Sequence, residues 1–98
     1  MNPWVPDADP HQARRIGKTL EELSELSCVL ARISIQGMDG IDPASGKSNR
    51  ERLIDETADV LAQCYRNMHK LNLPVKRILE RILQKDAQMD EWDRLLEK

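Results

Sequence analysis

The chain lacks most of what a β-fold is built from. Its 98 residues include no Phe, one Tyr, two Trp and only four Gly. Strands favour aromatic and β-branched residues. The apolar residues here are Leu, Ile, Val, Ala and Met, a palette suited to helices. Cysteine is scarce too. Cys28 and Cys64 form no CxxC and no Cys/His spacing suited to zinc. They read as reduced core residues of a cytoplasmic protein. No apolar run approaches the roughly 20 residues that span a bilayer. The polar, Pro-rich stretch from Met1 to Pro10 reads as an extended arm and not as a signal peptide. One-sided charge is also missing. Charged residues are 33% of the chain, with a net charge of −2. Bulk charge therefore makes no case for a nucleic-acid polymer or a membrane as partner.

What remains is helical. The expected fold is all-α, with three main helices forming a bundle completed by oligomerisation. Residues 10–98 form one domain behind an arm of residues 1–9. The first helix is expected over 10–36, capped by Asp9, with Pro10 at its first position and Gly37 as its stop. Ile16, Leu20, Leu23, Ser27 and Leu30 recur at helical spacing as a buried face, widened by Leu26 and Ile33. Gly17 inside it suggests a close neighbouring backbone. Residues 37–47 are a Gly-rich loop. Gly46-Lys47-Ser48 echoes the end of a phosphate loop, but the earlier glycine, Gly40, is misplaced by one position and no strand precedes it. The second helix is expected over 49–71, with Ser48 and Glu51 as a capping box. Ile54, Ala58, Leu61, Tyr65 and Met68 form its apolar row. The third helix starts at Pro74 and carries two apolar stripes, with a bend at residues 85–88 as one option. A domain this small buries only about 60–65% of its unfolded surface. Wide apolar faces on so short a chain imply a homodimer or homotetramer.

Two acidic clusters organise the chain. Glu21-Glu22-Leu23-Ser24-Glu25 lies in the first helix and Asp55-Glu56-Thr57-Ala58-Asp59 in the second. Glu22 with Glu25, and Glu56 with Asp59, are three apart, so each pair shares one helix face, roughly 5–6 Å apart at Cβ. Antiparallel packing would bring both pairs into one site. Like charges about 5 Å apart repel by roughly 3 kcal/mol at an effective dielectric near 20. Such a site calls for a cation, a proton or open water. Oxygen ligands favour Mg²⁺, Mn²⁺ or Ca²⁺ over zinc. Lys18 can pair with Glu22 or meet a phosphate. His11 and His69 read as polar surface residues. Trp4, Tyr65 and Trp92 are the side chains of a type that stacks on a base, although Trp4 reads first as a residue that packs on the body or a neighbouring subunit.

The pattern Glu21-Glu22-x-x-Glu25 followed by Glu56-x-x-Asp59 resembles the signature of the MazG-like, all-α nucleoside triphosphate pyrophosphatases. Lys18, the flanking KTLEELSEL and LIDETADVLAQ, and the turn into a helix at Pro74 are similar as well. The resemblance covers about residues 14–85. It implies Mg²⁺-dependent cleavage of a nucleoside triphosphate between its α and β phosphates, with Mn²⁺ as an alternative cation. By the same resemblance Glu22, Glu25, Glu56 and Asp59 are metal ligands, and Glu21 supports a ligand or the attacking water. Lys18, Arg81 and Lys85 are the basic residues assigned to the substrate. The stretch between the two motifs is longer than the family pattern, and the basic run late in the third helix is weak. A non-catalytic nucleotide-binding subunit and a plain helical oligomerisation module are the alternatives to an enzyme.

Overall fold

The computed structural model describes residues 3–6 and 8–97, so Met1, Asn2, Asp7 and Lys98 lie outside the described residues. The parts of the expected arm that are described, residues 3–6 and 8–9, have no regular structure. Three helices follow: α1 Pro10–Gln36, α2 Asn49–Lys70 and α3 Val75–Leu96. The fold is all-α.

Local chemistry sets the helix ends. The Asp9 carboxylate accepts from the backbone N–H groups of His11 and Gln12, and Pro10 occupies the first turn. These are donors that a helix start leaves without partners. Gly37 ends α1 at φ 80°, and its N–H closes on the Ile33 carbonyl at 2.7 Å. Ser48 caps α2 by accepting from the Glu51 N–H at 3.1 Å, while its hydroxyl donates to the Glu51 carboxylate. α3 runs without a break through residues 85–88, so the expected option of a bend there is not taken.

α1 and α2 pack on each other, and α3 packs comparably on neither. Two side-chain contacts show that α1 and α2 are antiparallel. Asn49, at the start of α2, bonds Gln36 and Gly37 at the end of α1. Asn67, near the end of α2, bonds Thr19 near the start of α1.

The seam uses the edge of the expected apolar faces, with Leu26 and Ile33, and not their central row. The covered positions include Thr19, Glu22, Leu26, Val29 and Ile33 on α1 and Asn49, Leu53, Glu56, Val60, Gln63, Asn67 and Met68 on α2. Val29 is the one wholly buried apolar side chain among the described residues. The expected core row is left outside: Leu20 is 60% exposed, Leu61 61% and Tyr65 64%. Cys28 and Cys64 are exposed free thiols and not core residues. The physical reason is geometric. One partner helix covers only one stripe of a wide apolar face, and here α1 and α2 use their mixed polar stripe for each other. Gly17 has no neighbour within 4 Å, so the expected close approach does not occur there. It occurs at Gly40, where a Cβ would lie 2.9 Å from Asn49 and from Gln36.

The connecting loop is tied down. Asp42 is buried and accepts from Arg32 Nη1 at 2.8 Å and from the Ser45 hydroxyl at 2.7 Å. The Ser45 hydroxyl is the main influence holding the Asp42 carboxyl below its ordinary range, against the opposing effect of desolvation. Asp42 N–H donates to the Lys47 carbonyl, and Ile41 bridges Ser48. The backbone of Lys47 is thereby fixed at the mouth of α2.

Candidate metal centre

The α1–α2 seam brings three carboxylates together. Glu22, Glu56 and Asp59 each offer an oxygen, and these oxygens lie within 4.8 Å of one another. Glu22 is buried, Glu56 half-buried and Asp59 exposed. The helix spacing of Glu56 and Asp59 puts them on adjoining parts of one face, and the antiparallel seam sets Glu22 against them.

Two oxygens in this group lack what burial requires. Glu22 Oε2 and Glu56 Oε2 are both buried without a hydrogen-bond partner. An unpartnered buried carboxylate oxygen is costly, and two on facing helices repel as well. A divalent cation would satisfy both oxygens at once. The donor set is all carboxylate oxygen, which suits a hard ion such as Mg²⁺ or Mn²⁺. The residues present therefore fit the cation that the sequence motif implies.

Glu25, the fourth expected ligand, stands outside this tight group and is exposed. It is nevertheless coupled to it. The charge of Glu22 is the largest influence raising its pKa, followed by desolvation and the charge of Glu56. Glu21 is exposed and points to Lys18. Lys18 lies at the rim, with its ammonium 3.1 Å from Glu22 and 3.4 Å from Glu21. Its pKa is raised, first by the hydrogen bond to Glu22 and then by that to Glu21.

A second cation at the site went unassigned in the sequence. Lys47 Nζ reaches across from the loop to Asp55 at 3.0 Å. Asp55 lies one turn before Asp59, and the Lys47 pKa is raised by Asp55 first and by Glu51 and Glu56 to a lesser degree. The signal was present as the Gly46-Lys47-Ser48 run, but its place in space depends on the Asp42 anchor. The other expected substrate residues lie on the helix that is not packed on the seam as α1 and α2 are on each other. Arg81 and Lys85 sit on α3 and form no ion pair among the described residues. Tyr65 meets His69 edge-on, with ring centroids 5.0 Å apart, so His69 has an aromatic partner. Trp4 and Trp92 are exposed.

Compared with protein-family models, with curated proteins and with solved structures, the chain matches none. No helix among the described residues is long and apolar enough to cross a membrane.

Proposed function

We propose that the chain is a Mg²⁺-dependent nucleoside triphosphate pyrophosphohydrolase of the MazG-like kind, acting between the α and β phosphates. The observation that carries this reading is the pair of buried, unpartnered oxygens on Glu22 and Glu56, met by Asp59. A plain oligomerisation helix has no use for such a pair. Its acidic residues would face water.

In this reading Glu22, Glu56 and Asp59 hold the cation, with Glu25 beside them as the fourth ligand. The cation, when bound, polarises phosphoryl oxygen and lowers the pKa of water. Water oxygen bonds to the α phosphorus as the bond from that phosphorus to the α–β bridging oxygen breaks. The products are a nucleoside monophosphate, pyrophosphate and one proton. Lys18 is held by Glu21 and Glu22 where it can meet a phosphate entering over the rim. Lys47 exchanges its contact with Asp55 for the charge on the leaving pyrophosphate. Charge neutralisation of this kind is the main work in phosphoryl-group chemistry. The outer apolar row of Ile16, Leu20, Leu23, Ile54 and Leu61 is buried by a second copy of the chain. The thin core of the single chain supports that assembly.

The test is pyrophosphate release from a panel of ribo- and deoxyribonucleoside triphosphates, with Mg²⁺, with EDTA and with Glu56→Gln. Release that requires both Mg²⁺ and Glu56 is expected. A folded protein that releases none from any nucleotide would overturn the enzyme reading.

A further inference from the structure

The loop between α1 and α2 is bonded more completely than the helix faces it joins. Asp42 spends every polar group it has. Its N–H donates to the Lys47 carbonyl at 2.8 Å, and its own carbonyl accepts from the Gly46 N–H at 2.8 Å. Its Oδ2 accepts from both the N–H and the hydroxyl of Ser45, and its Oδ1 accepts from Arg32 of α1. The Ser45 hydroxyl in turn accepts from the Lys47 N–H at 3.3 Å. Both peptide groups beside the Lys47 Cα are therefore held, one by Asp42 and one by a hydroxyl that Asp42 holds. Only the side-chain dihedrals of Lys47 remain to be set, and they bring its ammonium 3.0 Å from Asp55. Ordering a loop costs conformational entropy, and burying a carboxylate costs desolvation. A chain with so small an interior meets both costs here, and loops held on a rigid scaffold are where binding residues sit.

We infer that Asp42 is a positioning residue for the proposed reaction: it ties the backbone of Lys47 to α1, so that the ammonium stands beside the acidic group where a triphosphate arrives. Asp42 lies outside the three-carboxylate group and is none of the residues that the sequence motif implies. Arg32 carries the reference. It sits on the same helix as Glu22, so the loop cation and the carboxylates share one frame. Without this anchor Lys47 keeps its charge, but the ammonium samples many places. A charge assists a leaving group only where negative charge develops. A carboxylate that merely tightened the loop would act on stability alone. The inference rests on the reading of Lys47 given above, as the cation that meets the leaving phosphates.

A double-mutant cycle in the full-length chain tests it. Two readouts are taken: calorimetric affinity for an α,β-methylene nucleoside triphosphate with Mn²⁺, and pyrophosphate release from the natural triphosphate. Asp42→Asn keeps the volume and removes the charge that Arg32 pairs with. It should lower analogue affinity and kcat/KM by about tenfold, since a small misplacement away from the chemistry can cost on the order of 100-fold. Ser45→Ala, at an exposed position, should give a smaller loss in the same direction. In a Lys47→Ala background neither substitution should cost anything further, because changes that act through one shared contact do not add. Stabilisation by Mn²⁺ alone should stay at the parent's level in Asp42→Asn and Ser45→Ala. Losses that add to that of Lys47→Ala would make Asp42 a structural residue only and overturn the inference. So would a folded Asp42→Asn chain with the parent's affinity and kinetics. If Asp42→Asn does not fold, the Ser45→Ala arm of the cycle decides by the same criterion. A parent that binds the analogue with this coupling yet releases no pyrophosphate would overturn the enzyme reading and leave the positioning role standing. A parent that binds no triphosphate would overturn both.

Discussion

The Asn67 side-chain amide donates to the Thr19 hydroxyl at 2.8 Å across the α1–α2 seam. Thr19 spends its own hydrogen on the Arg15 carbonyl at 2.9 Å, so towards Asn67 it must accept. This fixes which end of the amide faces α1. It also pins the antiparallel register at the end of the seam opposite the loop. We predict that Thr19→Val, which keeps the shape and removes the acceptor, leaves the Asn67 donor unpaired. The cost of an unsatisfied buried donor is about 1–3 kcal/mol. The melting temperature should fall by about 4–8 °C per kcal/mol for a domain of this size. An unchanged melting curve would show that the bond does not hold the seam.

Neutralising the acidic group should separate stability from binding. Glu22→Gln and Glu56→Gln each remove a charge from a repelling cluster while leaving its shape. In EDTA either variant should melt at the same temperature as the parent or higher. Both should lose stabilisation by Mn²⁺ and lose turnover by at least about a hundredfold, since even outer-shell changes cost about 10–100-fold in metal affinity. Differential scanning fluorimetry with and without Mn²⁺ checks the first part. Retained Mn²⁺ stabilisation in both variants would sink the site.

The raised pKa of Glu25 sets a pH dependence. Its folded value lies above its unfolded value, chiefly through the charge of Glu22. Between those two values the folded chain holds more proton than the unfolded one. Stability in EDTA should therefore fall as pH rises through that window. Divalent cations compete with the same proton, so Mn²⁺ affinity should rise over the same window. Glu25→Gln should flatten both trends. The effect on stability will be small, because the Glu25 side chain is exposed and screened. Calorimetric titration of Mn²⁺ at several pH values reads it directly.

Lys47→Ala probes the loop cation. Removing an ammonium near carboxylates should leave Mn²⁺ affinity unchanged or higher. It should lower kcat/KM for a nucleoside triphosphate by about 10–100-fold, less than the roughly 10²–10³-fold lost with one oxyanion-hole donor, because the Lys47 side chain is exposed. Lys47→Arg should recover part of the loss. A Lys47→Ala enzyme with the parent's kinetics would limit this lysine to its contact with Asp55.

The helices were legible because their ends are local events. Asp9, Gly37, Ser48 and Glu51 act on backbone groups within a few residues, and each works where the sequence puts it. The acidic residues were legible as pairs for the same reason. What the sequence hid is which stripe of each helix meets the other. Periodicity marks Ile16, Leu20, Leu23 and Leu30 as the apolar face of α1, and they are. It says nothing of which edge of that face is turned inward, and here Leu26 and Ile33 at one edge turn inward together with Glu22 and Val29, which the row did not include. One partner helix covers only one stripe of a wide face, which is also why Cys28 and Cys64 lie open. Lys47 was hidden differently. Its approach to Asp55 depends on Asp42 being anchored by Arg32 from α1, a contact no local pattern encodes.

Val29 alone is wholly buried among the apolar side chains described. Ordering a residue costs about 1–2 kcal/mol of backbone entropy, and so small an interior offsets little of that. Under the proposed burial of the outer apolar row by a second copy, folding would follow mass action, and dilution would act as a denaturant.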